Sequence, residues 1–130
     1  MLKSFSLSAL AFAALDFLWL GFVVKDFNLR QLSLIGRIED GRFDLLYAPV
    51  WIVYLLMAAS VAYFVLPRIP SGAPLWQAFL NGAAMGLIAF GIFDMTNLAI
   101  LKNYPVPFAL VDMAWGTFAY GAVTCLARIL

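Results

Sequence analysis

Three aspartates carry whatever chemistry this sequence has: Asp16, Asp94 and Asp112. Each lies inside a strongly apolar stretch. In "DMTNLAILKNYPVPFALVDMAWG", Asp94 is followed by Thr96, Asn97 and Lys102, and Asp112 by Trp115 and Gly116. In "LDFLWLG", Asp16 is followed by Trp19. A charged side chain at the centre of a bilayer costs about 2.5–3.5 kcal/mol on insertion scales, and less near the surface. Three such residues are tolerable when they face protein rather than lipid. There a carboxyl can share hydrogen bonds, hold a cation, contact a ligand or move a proton. Asp94 and Asp112 are the candidates for a general acid or base.

Helical spacing places polar and small residues around them. Gly82, Gly86, Phe90 and Asp94 follow one another at i+4, as do Asp112, Gly116, Tyr120 and Thr124. Rows of small residues let helices approach closely in membranes, so the glycines read as packing positions. Asn97 follows Asp94 by three residues, on much the same face. Tyr47, Trp51 and Tyr54 are the aromatic contribution of a further segment. Trp19, Trp51 and Trp76 also suit interface anchors, and Lys102 suits a snorkelling boundary residue as well as a counter-charge for Asp94.

The elements that must position these residues follow from composition. Of 130 residues, 65% are hydrophobic and 12% charged, against about half and a quarter in ordinary soluble domains. A chain of this size cannot bury that excess in its own core. The expected fold class is all-α, a polytopic membrane protein with a bundle of four transmembrane helices in one membrane domain, residues 1–130. The spans are expected at about 5–24, 46–66, 76–101 and 107–126, each near the roughly 20 residues that cross a bilayer. The first is not read as a signal peptide. Asp16 and Trp19 interrupt its apolar run, and a cut after Ala13 leaves too short a core. No soluble domain is expected.

Between the first two spans, Lys25–Asp44 carries four of the eight basic residues and four acidic ones. Leu32, Ile35 and Ile38 fall at helical spacing there, so a short interfacial helix is expected. "PRIPSGAP" and "KNYPVP" read as turns, with Tyr104 and the prolines setting the second. The long connection and the second turn share one side, with five basic residues against three, which leans toward a cytoplasmic placement. Counting helical rise, all three aspartates lie roughly 8–12 Å below that face.

Much chemistry is excluded. A net charge of +1 gives no case for nucleic acid. Without histidine there is no Ser-His-Asp arrangement, no common haem ligand and no His-based zinc or di-iron site. Cys125 is the sole cysteine and reads as a packing residue. No cofactor and no metal is expected. Oxygen ligands from Asp16, Asp94, Asn97 and Asp112 would suit a hard cation, but spacing alone does not bring them within bonding distance.

"FDMTNLAILKNYP", "LVDMAWG", "LDFLWLG" and "LYAPVWIVYLL" together resemble DUF family 2177, small four-span bacterial membrane proteins classed as a domain of unknown function. The likeness covers nearly the whole chain. It falls on Asp94, Thr96, Asn97, Leu98, Ala99, Lys102, Pro105, Asp112, Trp115 and Gly116. Phe93 and Asn28 stand where the family's pattern leads one to expect tyrosine. The resemblance implies a bacterial inner-membrane location and no particular activity, so enzyme or non-enzyme stays open.

Three functions are compatible with these residues. The first is a site for a lipid-like or other amphipathic small molecule, formed by Asp16, Trp19, Tyr47, Asp94, Thr96, Asn97, Lys102, Asp112, Trp115 and Gly116. The second is a structural or accessory subunit that uses the cluster for packing, as a homo-oligomer or with a membrane partner. The third is proton or cation translocation, against which stands the single depth of the acids. The lipid bilayer is the common partner.

Overall fold

A backbone in hydrocarbon has no water to bond, so each spanning segment must satisfy its own amides as helix. The structure is a computed structural model describing residues 1–130, and it follows that rule. α1 is Leu2–Leu18, continued by a wider π-helical turn over Trp19–Val23. α2 is Lys25–Gln31. Two short strands, β1 (Ile38–Glu39) and β2 (Arg42–Phe43), pair antiparallel. α3 is Tyr47–Ala59, continued by π-helical Ser60–Val65 and a tight turn over Leu66–Arg68. α4 is Leu75–Ile100 and α5 is Val106–Ile129. Four helical stretches are long and apolar enough to span: Leu2–Val23, Tyr47–Arg68, Leu75–Ile100 and Val106–Ile129. The protein is an all-α, four-span membrane protein.

The long connection differs from expectation. Its helix is Lys25–Gln31, so it ends before Leu32, and Ile35 and Ile38 are outside it. Gly36 and the Asp40–Gly41 pair break the helical period. Asp40 and Gly41 both take positive φ, 49° and 70°, which is the backbone of a tight turn between twisted strands.

Only 24 of 130 residues are buried, and large apolar side chains such as Leu10, Phe17, Ile52, Ile88 and Leu110 point outward. That outer surface is satisfied by lipid rather than water. The buried core is Phe12, Met57, Val61, Ala119, Tyr120, Val123 and Ala127. Those residues come from α1, α3 and α5. α4 packs along the length of α5, and α1 packs on both α3 and α5. Phe12 and Tyr120 rings meet at 4.8 Å. The Tyr120 hydroxyl lies 3.1 Å from Ser60 Oγ, which itself donates to the Met57 carbonyl at 2.7 Å.

Candidate functional site

Glycines on α4 and α5 build the site by letting the two helices close. A Cβ on Gly82 would collide with Thr124 and the Tyr120 carbonyl, and one on Gly86 with the Gly116 carbonyl. A Cβ on Gly116 would enter the Phe90 ring. The two i+4 rows therefore interlock in antiparallel order: Gly82 at Thr124, Gly86 at Tyr120 and Gly116, Phe90 at Gly116. The next step of the same zipper sets Asp94 beside Asp112. The two carboxyls are within hydrogen-bonding reach when one carries a proton.

α1 brings the third acid. Its buried residues are Ser8, Phe12 and Asp16, one i+4 row facing α5. Asp16 is 8% exposed, and Trp115 Nε1 donates to its Oδ1 at 2.7 Å. The Tyr54 hydroxyl of α3 lies against the same carboxylate. Asp112, partly buried on α5, stands within electrostatic reach of both Asp94 and Asp16.

The α4–α5 turn closes the site from one end. Leu101 and Pro105 are extended, so the chain reverses and Tyr104 folds back over α4. Tyr104 is 9% exposed, and its hydroxyl donates to Asp94 Oδ1 at 2.7 Å. Its ring meets Phe108 edge-on at 5.7 Å, and Asn97 lies beside its oxygen. Burial, with the Asp94 carboxylate beside it, pushes the Tyr104 phenol above its ordinary range, so it stays a donor. Asp94 is fully buried, and its Oδ2 has no hydrogen-bond partner.

The structure gathers Asp16, Trp19, Asp94, Asn97, Asp112, Trp115 and Gly116. It leaves three expected residues outside. Tyr47 is 71% exposed, because it lies in the first turn of α3, where no neighbouring helix covers it; Trp51, one turn on, is exposed too. Thr96 is exposed, since two residues of helix turn it roughly 200° from Asp94. Lys102 is exposed and makes no hydrogen bond. It is Tyr104 that turns inward. Spacing alone assigns Tyr104 to the turn. Its usable signal was a phenol ten residues after a buried acid, with prolines that fold the chain back.

Outside this interior lies an apolar groove. Trp19 and Trp115 stack with ring centres 4.4 Å apart and planes 4° from parallel. With Val111, Ala114 and Phe118 they line a hollow of about 460 Å³. One indole serves both sides: the Trp115 ring forms the groove while its N–H holds Asp16. A second hollow, about 540 Å³, lies on the long connection at Leu29, Arg30, Ser33, Ile38 and Gly41. None of the three acids lines it.

A family model described as "Predicted membrane protein (DUF2177)" matches residues 1–129. No curated protein and no solved structure matches the chain.

Proposed function

We propose, for a chain that belongs to the DUF2177 family of predicted membrane proteins, that it binds a lipid-like, amphipathic small molecule within the bilayer. One observation carries the reading. Trp115 joins an open apolar groove to a buried carboxyl, with its ring stacked on Trp19 and its N–H on Asp16. A ligand with an apolar tail and a polar end would lay the tail on the paired indoles. It would direct the polar end toward Asp112, the least enclosed of the three acids. Apolar pockets with a few placed polar groups are the usual form of small-molecule sites. The membrane is proposed to be a bacterial inner membrane, with the long connection on the cytoplasmic side. The whole chain acts as one membrane domain.

Native mass spectrometry of gently extracted protein tests this. Wild type is expected to retain a lipid-like species that folded Trp19→Ala and Asp112→Asn variants lose. Unchanged ligand content in both folded variants, or a helix partner lost instead, would transfer the cluster to an assembly role.

A further inference from the structure

We infer that the polar end of this ligand is a cation of ammonium type, held by Asp112 and Asp94 with Asp16 behind them. The inference rests on the amphipath reading and adds the charge of the headgroup. Four groups of observations carry it.

The first is charge. Asp94 and Asp16, from two other helices, both lie within electrostatic reach of Asp112, and no lysine or arginine of the chain is bonded to any of the three. The nearest basic residue in sequence, Lys102, is exposed. The groups that do face the acids are neutral: Tyr104, Tyr54 and Trp115, with Asn97 beside the Tyr104 hydroxyl. Facing carboxyls in a low-dielectric site need a proton or a cation between them.

The second is an unused acceptor. The Tyr104 phenol has one proton and gives it to Asp94 Oδ1. Asp94 Oδ2 is buried without a donor, although buried polar atoms are nearly always bonded. It lies on the carboxyl that faces Asp112. An ammonium group has N–H donors in several directions and can bridge the two acids; a neutral hydroxyl brings one donor, and a phosphate brings only more acceptors and negative charge.

The third concerns the kind of cation. No three acidic side chains are arranged to hold a metal ion. Two facing carboxyls present directed acceptors rather than a closed ligand cage, which suits an ion that carries its own directed hydrogens.

The fourth is the neighbouring surface. The stacked Trp19–Trp115 pair lines the groove, and Trp115 connects it to Asp16 through its N–H; indole is the strongest aromatic partner for an organic cation.

The test compares three probes with one tail: dodecylammonium, dodecanol and dodecyl phosphate. Each is titrated at low mole fraction into the full chain in neutral maltoside micelles and read by native mass spectrometry and tryptophan fluorescence. The ammonium probe is expected to bind one per chain and about tenfold or more tighter than the alcohol, a difference of about 1.4 kcal/mol. The phosphate is expected to be weakest. Asp112→Asn should remove the ammonium preference while leaving dodecanol binding in place. Equal affinity for ammonium and alcohol, with both lost in Trp19→Ala, overturns the cationic headgroup and leaves the amphipath reading standing. No saturable binding of any probe overturns both. The wild-type comparison decides the matter if Asp112→Asn does not fold.

Discussion

Tyr104→Phe isolates one hydrogen bond at the site. The substitution removes the hydroxyl that donates to Asp94 Oδ1 at 2.7 Å and keeps the ring that packs edge-on against Phe108. Asp94, fully buried, then has no donor on either oxygen apart from a protonated Asp112. Stranding a buried acceptor costs about 1–3 kcal/mol, and more if it is charged. Hydrogen bonds measured between membrane helices average about 0.6 and reach about 1.7 kcal/mol. We expect a loss of about 1–2 kcal/mol in reversible unfolding of the detergent-solubilised protein. The second arm of the experiment is Asp94→Leu in the Tyr104→Phe background. Replacing both partners by apolar groups of similar shape can be nearly neutral, so the double variant should recover most of the loss. A Tyr104→Phe variant within about 0.3 kcal/mol of wild type, or a double variant that simply adds a second penalty, would refute the reasoning; separate sites add within about 0.3–0.5 kcal/mol.

Gly86→Ala should destabilise by about 1–3 kcal/mol in the same assay, because its Cβ meets the Gly116 backbone, which cannot swing aside. Gly91→Ala, whose Cβ meets only the flexible end of Met113 at 3.5 Å, should be neutral or gain about 0.5–1 kcal/mol from helix propensity; equal effects at the two glycines would sink the zipper. Lys102→Gln should stay within about 0.5 kcal/mol of wild type, and a larger loss would reveal an ion pair with the acids that the structure does not contain.

The parts of this protein that periodicity governs were legible in the sequence. Span positions followed from apolar runs, because in lipid those runs have one solution. The interlocking of Gly82, Gly86 and Phe90 with Gly116, Tyr120 and Thr124 was written as two i+4 rows. What periodicity could not supply was the reach of a side chain across a chain reversal. Six residues of helix from Asp94 to Ile100 rise about 9 Å; the turn then returns Tyr104 over that distance, and no spacing rule links residues 94 and 104. Tyr47, Thr96 and Lys102 lie outside the cluster for the complementary reason. Proximity in sequence drew them toward Asp94 or the α3 face, whereas the helix phase of Thr96 and the missing neighbour at the start of α3 kept them out.

Packing alone is a poor account of the three acids. Seven residues of the interior already tie α1, α3 and α5 through apolar contact, and Ser60 with Tyr120 supplies a neutral polar link between α3 and α5. A carboxyl adds a cost of about 2.5–3.5 kcal/mol if charged at mid-membrane, less near the surface. The bond it makes to another helix returns about 0.6–1.7 kcal/mol. An asparagine at each position could accept from Trp115 or Tyr104 equally well and bring its own donors. What asparagine cannot bring is negative charge. Asp94 and Asp112 face one another with no basic partner and with Oδ2 of Asp94 unused. With both carboxyls ionised, that arrangement weakens the helix contact it would be serving. It becomes favourable when a proton or another positive group enters between them, and the proposed cationic headgroup is one such group.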